Sequence, residues 1–404
     1  MRILFAAPGY KPAWRVGGPI LSISALAEQL VRGGHEVIVF APNANLDEDL
    51  DVPVDRPMSI DGVEVWYFQR QEFFRHYLSS VSYLSRSSGF LYCPSMAAAL
   101  DRTTPTVDIV HTHLPFNYPT YAAARSAIRY GKPLFYHQRG VFDPERLKFR
   151  SLKKRIYLQF FEKPILRRTT ALIALTTAEV DSYRRLGLKS PCVVIPNGID
   201  VAAYQGKQGD LTCLGIDPDQ IVILFLARLH PIKGVDLLLE AFARIQRNHP
   251  RAVLVLAGPD EFGMKERLSA AARRSCPGRV IFPGMVQGEL KNRLLARADL
   301  FCLPSIAEGF SMAVLEALSS GTPVLLSSGC HFEDVERGGA GRIVPRRADA
   351  WADAMDAMLA DSALRQTMGE RGRRLVSERY AWENISNQLV DVYSRALSAR
   401  HQAN

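Results

Sequence analysis

Cysteine is scarce and scattered. Cys93, Cys192, Cys213, Cys276, Cys302 and Cys330 form no C-x-x-C pair. That spacing argues against a disulfide frame and a zinc ribbon, and it predicts small core residues or loose surface thiols in a reducing cytosol. Long apolar runs are missing too: none approaches the ~18–20 residues that span a bilayer. The opening MRILFAAPGYKPAW is broken too soon by Pro8, Gly9 and Pro12 to read as a secretory signal. A buried first strand is the expectation. Low-complexity tracts and short repeats are absent as well. With 47% hydrophobic and 23% charged residues, a disordered chain is excluded.

What is present fills 404 residues, enough for two or three domains at ~150 residues each. Fifty basic residues against 41 acidic ones leave a formal charge of +9, which favours an anionic partner. Short apolar runs alternate with amphipathic stretches. Strands are predicted at Ile3–Ala7, Glu36–Phe40, Val63–Phe68, Asp108–His111, Leu134–His137, Ala171–Ala174 and Val193–Ile195. A second series follows at Ile221–Leu226, Ala252–Ala257, Val280–Phe282, Leu300–Leu303 and Val324–Leu326. Strand–helix alternation builds parallel sheets covered by helices, so the fold class is α/β with two doubly wound, Rossmann-like domains. The polar, aperiodic stretch near 199–220 marks the boundary. A last helical stripe carries Ile385, Leu389, Val392 and Ala396. The acidic run 47–51 reads as a solvated loop.

In doubly wound folds ligands bind beyond the carboxyl ends of the strands. Arg228 and Lys233 lie on such a strand-to-helix turn, where two cations five positions apart can clamp a diphosphate; the plainer reading is an ordinary exposed loop. Gly258 sits at the next strand end. The third such turn is more specific. Glu308 lies in its loop and Glu316 about two turns into the following helix. Gly309 permits close backbone approach, and the N–H groups of Gly309, Phe310 and Ser311 at a helix start suit a phosphate. Glu308 can accept from sugar hydroxyls and Glu316 from a ribose diol. Residues 312–319 are otherwise nearly all apolar, which weakens the reading of two ordinary surface glutamates.

With these residues the chain resembles the family 4 glycosyltransferases of GT-B fold, over essentially its whole length. The carriers are the Glu-x7-Glu run with its Glu-Gly-Phe opening and Arg228-x4-Lys233-Gly234. Asn197-Gly198-Ile199-Asp200, Gly258-Pro259 and Gly17-Gly18 support them. The resemblance implies a retaining enzyme that uses a nucleotide-sugar donor and needs no metal or other cofactor, with the donor in a cleft faced by both domains. Arg228 and Lys233 then hold the diphosphate and Glu316 the ribose. Glu308 and the 309–311 backbone hold the transferred sugar. It divides the chain at 1–203 and 204–383, with 384–404 returning to the first domain. The chemistry is consistent with metal independence, because fixed cations and a helix N-terminus can stabilise a departing diphosphate.

The first half is expected to hold the acceptor. Gly17 and Gly18 follow the first strand and resemble the loop that approaches the donor phosphates. His111 and His113 share a strand face; without a third ligand in view, packing or cleft lining is the expectation over a metal. His137 closes a strand, and the resemblance assigns it to the donor sugar or reacting centre; a hydrogen-bonded strand-end histidine is the plainer alternative. Many relatives have glycine directly after it, whereas here Gln138 and Arg139 intervene. Thr176 is a helix N-cap by type, and by family position touches the acceptor.

Residues 145–168 carry nine Lys/Arg against two Glu, a local excess of +7. Leu152, Ile156 and Phe160 form a stripe, with Lys153, Lys154 and Arg155 off it. Such a basic amphipathic helix can rest on an anionic membrane surface; a core-packed helix with a solvated basic face is the equal alternative. Aromatic residues across 73–92 are candidates for an acceptor groove. Nucleic acid is not an expected partner, since no binding module is present. A glycan or lipid-linked acceptor, surface polysaccharide or glycolipid assembly, and a cytoplasmic location on the inner membrane face complete the reading. The alternatives are a GT-B nucleotide-sugar epimerase and a non-catalytic sugar-nucleotide or membrane-binding module. A dinucleotide oxidoreductase is rejected, because Ala7-Pro8-Gly9-Tyr10 is no G-x-G-x-x-G turn.

Overall fold

A computed structural model describes residues 1–71, 90–144, 147, 151–206, 209–260 and 262–403. Most of the aromatic stretch proposed for an acceptor groove, 73–89, lies outside them, as do 145, 146 and 148–150 of the basic segment. The chain forms two units, Met1–Gly198 with Trp382–Asn404, and Ile199–Ala381.

The first unit is built on strands β1 (Arg2–Ala6), β2 (Glu36–Pro42), β5 (Pro57–Ile60), β6 (Val63–Phe68), β7 (Ile109–His113), β8 (Leu134–His137), β9 (Ala171–Ala174) and β10 (Cys192–Val194). They run in the order β10-β9-β8-β7-β1-β2-β6-β5, parallel except for β5. The central strands are continuous apolar runs because helices cover both faces. On one face the first helix, Gly18–Arg32, and the last, Trp382–Ala403, share a core with Ile23, Leu30, Ile385, Leu389 and Tyr393. The terminal stripe read from the sequence thus packs on the first unit. A two-residue hairpin, β3 (Ala44–Asn45) with β4 (Glu48–Asp49), holds the acidic run. That run is not merely solvated: Arg15 pairs with Asp47 and Glu48, and buried Arg70 with Asp49.

The second unit holds β11 (Ile221–Leu226), β12 (Ala252–Ala257), β13 (Val280–Gly284), β14 (Leu300–Leu303), β15 (Val324–Ser327) and β16 (Gly341–Val344). All pair in parallel, in the order β13-β12-β11-β14-β15-β16. The order reverses between β11 and β14, which creates a crevice at their carboxyl ends. The helix Met312–Ser320 follows β14 and stops at Gly321, whose left-handed φ of 81° caps the carbonyls of Ala317 and Leu318.

Besides the β3–β4 hairpin, the sequence reading misses two strands of the main sheets, β5 and β16. The first begins at Pro57 and is an edge strand, where proline is tolerated; the second is a four-residue run interrupted by Arg342. Strand β7 also runs two residues past His111, to His113. No helix among the described residues is long and apolar enough to cross a membrane.

Candidate active site

In the second unit the fold brings Lys233 and Glu308 together across the switch point. Lys233 ends a short 3-10 turn, Pro231–Lys233, after β11. The next residue, Gly234, has φ 72°, and a Cβ there would lie 2.3 Å from the Pro304 carbonyl oxygen. Only glycine lets the two turns approach this closely. Lys233 Nζ donates to Glu308 Oε1 at 2.5 Å, and Ser305 Oγ donates to the same oxygen at 2.5 Å. Glu308 N–H donates to the Gly329 carbonyl at 2.8 Å. The carboxylate is buried but compensated.

Glu316 lies in the Met312–Ser320 helix, also buried. Its Oε1 accepts from Tyr204 Oη at 3.0 Å and from Lys291 Nζ at 2.8 Å. Among the described residues no hydrogen bond reaches Oε2. Tyr204 and Lys291 escape the sequence reading. Lys291 Nζ stands 5.8 Å from the Tyr204 ring centroid, a pairing that spacing does not reveal. The Phe310 ring is taken up in packing on Phe332 and Tyr380. The N–H groups of Gly309, Phe310 and Ser311 make no hydrogen bond among the described residues. They form a free donor set at the positive end of a helix dipole. Arg228 is exposed two residues beyond β11, and Gly258 follows adjacent β12.

In the first unit Gly17 has φ 96°, and a Cβ on either Gly17 or Gly18 would meet nothing within 4 Å. The start of the first helix is open. Strand pairing sets His113 opposite His137, and His111, His113 and His137 bring their nitrogens within 4.8 Å of one another. The third histidine lacking in the sequence reading is therefore present in space. Burial, with Arg139 and the neighbouring imidazoles adding repulsion, holds all three pKa values well below the usual histidine range. Arg139 Nε lies 3.4 Å from His113 Nδ1. That permanent cation opposes a second positive charge, so the trio does not suit a metal. Among the described residues both nitrogens of His137 are buried without a hydrogen-bond partner, as are Nε2 of His111 and Nε2 of His113. Orphaned polar atoms of this kind call for a ligand or water.

Arg139 is the residue the sequence reading undervalued. It is buried, with its pKa lowered to about 10 by desolvation. Its Nη1 donates to Ser22 Oγ at 2.8 Å and Asn197 Oδ1 at 2.9 Å. Gln138 is consumed locally, donating to the Glu179 carbonyl and accepting from Phe142 N–H. Thr176 caps the helix Thr177–Arg185 by accepting from Glu179 N–H, and is buried.

In the basic segment Lys153 and Arg155 are exposed, but Lys154 is buried at 7% exposure and does not belong to a membrane-facing set. The apolar stripe is reversed from core packing: Leu152, Ile156 and Phe160 are exposed. Tyr157, Leu158 and Glu162 face inward instead.

Comparison with known proteins bears on both units. Residues 16–203 match the model of Glycosyltransferase Family 4, and residues 212–375 match that of Glycosyl transferases group 1. An uncharacterized glycosyltransferase of Methanocaldococcus jannaschii is 26% identical over 98% of this chain and 99% of that protein. A D-inositol 3-phosphate glycosyltransferase of Nocardia farcinica is 30% identical over 60% of this chain and 56% of its own length. Among solved structures, sucrose-phosphate synthase of Thermosynechococcus elongatus superposes with a TM-score of 0.77 at 20% identity, covering 99% of this chain and 100% of that one. Anabaena HepE, solved in complex with UDP-glucose, gives 0.71 at 21% identity, covering 98% and 100%.

Proposed function

We propose that this chain, a glycosyltransferase of GT-B fold, moves a hexose from a nucleotide-sugar donor to a glycan or lipid-linked acceptor with retention and without a metal ion. The observation that carries the reading is the Lys233–Glu308 contact at the switch point, beside free N–H groups at a helix start and a compensated Glu316. In this reading Lys233 and Arg228 hold the departing diphosphate. On donor binding Lys233 moves from Glu308 toward phosphate, and Glu308 accepts from the sugar hydroxyls. Glu316 keeps Tyr204 and Lys291 on Oε1 and offers Oε2 to the ribose diol. Developing negative charge on the leaving diphosphate meets fixed positive charge and N–H dipoles that need no reorganisation. The first unit carries the acceptor, with His113, Thr176 and Arg139 near that role and His137 acting at the reacting centre. The HepE complex with UDP-glucose supports a nucleotide-sugar donor. Assembly of surface polysaccharide or glycolipid is the pathway proposed.

The test is turnover with a panel of nucleotide-sugars. Lys233→Ala is expected to lose at least about 10²-fold in kcat, the usual cost of removing one transition-state donor. His137→Ala is expected to lose turnover with unchanged donor affinity. Full turnover of either variant contradicts its role.

A further inference from the structure

We propose that the helical segment 151–166 and the groove beside it bind an anionic phospholipid at a membrane surface. The segment runs as an α-helix over Ser151–Tyr157, a π turn over Leu158–Glu162 and an α-helical turn over Lys163–Leu166. Its exposed face carries an apolar stripe flanked by Lys153 and Arg155. Leu152 is 71% exposed, Ile156 50%, Phe160 70% and Phe161 44%. These are four of the ten exposed large hydrophobics among the described residues, gathered within ten positions. Scattered exposed apolar residues need no explanation, but a contiguous set marks an interaction surface.

The orientation is fixed from within. Glu162 is fully buried and its carboxylate accepts from Phe116 N–H at 2.8 Å and Tyr136 Oη at 2.7 Å. Turning the stripe inward would tear this carboxylate from both donors. The π turn sets the phase, with Lys163 N–H bonding to the Leu158 carbonyl five residues back. Pro164 lacks the N–H that would otherwise bond residue 160. π turns recur at functional positions in helices.

Beside the segment lies a cavity of about 670 Å³. Leu100, Phe161 and Ile165 supply apolar lining, and Arg125, Arg129 and Arg168 supply cations. All three arginines are exposed. Arg129 pairs with Asp101, and Arg125 donates to Tyr121 Oη. Arg155 and Arg168 have no acidic partner among the described residues. An apolar wall, three exposed guanidinium groups and a flanking basic stripe match one chemistry, an acyl chain ending in a phosphodiester. The side chains at 152, 156 and 160 would enter the acyl boundary while the cations meet anionic headgroups. This proposal does not depend on the donor-site reading, and its test reads binding rather than turnover.

The experiment is flotation of the full chain with vesicles of phosphatidylcholine alone, or of equal parts phosphatidylcholine and phosphatidylglycerol. Binding is expected only to the anionic vesicles. The combined Leu152→Ser, Ile156→Ser and Phe160→Ser variant is expected to bind at least about tenfold more weakly. Arg155→Gln with Arg168→Gln is expected to lose about fivefold per cation. Soluble glycerol phosphate is expected not to release the protein. The substituted residues are exposed, and an unchanged melting curve separates lost binding from lost folding. Equal binding to both vesicle types, no binding, unaltered binding by the variants, or release by glycerol phosphate overturns the proposal. A dimer that the serine variant dissociates, without vesicle binding, overturns it in favour of a second copy as the occupant.

Discussion

A carboxylate survives at 7% exposure only when something offsets its desolvation. Glu308 has Lys233 and Ser305, and Glu316 has Tyr204 and Lys291. Sequence context marked Glu316, because a charge inside an apolar helix run is unusual, and Glu308 through the Glu-Gly-Phe opening of the loop before that run. Their partners were not legible, since Tyr204, Lys291 and Ser305 are common residue types that only the fold brings near. Glu162 is a harder case. In sequence it is one acid among nine basic residues and reads as solvated. In space it is buried among Phe116, Tyr136 and Tyr157, and burial raises its pKa from 4.5 to about 7. The native state therefore holds a proton that the unfolded chain releases above about 4.5. Between those two values the native state binds more protons, so stability falls as pH rises. The drop is on the order of 3 kcal/mol, complete above about pH 7. Glu162→Gln, which keeps an acceptor for Phe116 N–H, is expected to remove this dependence. Urea midpoints at pH 5 and pH 8 check it; a variant that still falls in parallel with the parent chain contradicts the assignment.

At the scale of elements, the strand ends carry the function. Twelve strands were legible as short apolar runs, and the two sheets follow from them. The edge strands β5 and β16 were not, because they need neighbours rather than pattern to define them, whereas β10 and β13, also at sheet edges, were. The π turn was equally hidden: periodicity gave a stripe at 152, 156 and 160 but not its outward direction, which Glu162 decides. The glycines of the strand-end turns are legible only as letters until their φ angles are seen. Gly258 has φ 151°, and a Cβ there would lie 1.9 Å from the Ala227 carbonyl oxygen. Ala227 follows β11 and Gly258 follows β12, so this approach fixes two adjacent strand ends beside the donor residues. Gly258→Ala is expected to cost about 3 kcal/mol, since neither strain nor clash can relax without moving a strand end. Thermal denaturation checks this, and an unchanged midpoint contradicts it.

At the scale of the whole molecule, the formal charge of +9 has an address. Residues 145–168 carry +7 of it, leaving +2 for the other 380 residues. The basic excess is therefore no broad field over the protein. It gathers in one segment of the first unit, whose described part pairs cations with an exposed apolar stripe. In the proposed reading the second unit takes its anion differently, with a few fixed groups at a sheet switch point, as suits a small anionic donor. The proposed function has the second unit bind a nucleotide-sugar through Lys233, Glu308 and Glu316. Calorimetric titration of the full chain with UDP-, GDP- and ADP-sugars, repeated on Glu316→Ala, tests it most directly. One nucleotide class is expected to bind, and the variant to bind it about tenfold to a hundredfold more weakly, the loss of one or two charge-assisted hydrogen bonds to the ribose. Equal affinity in both proteins, or no binding of any nucleotide-sugar, would contradict the account.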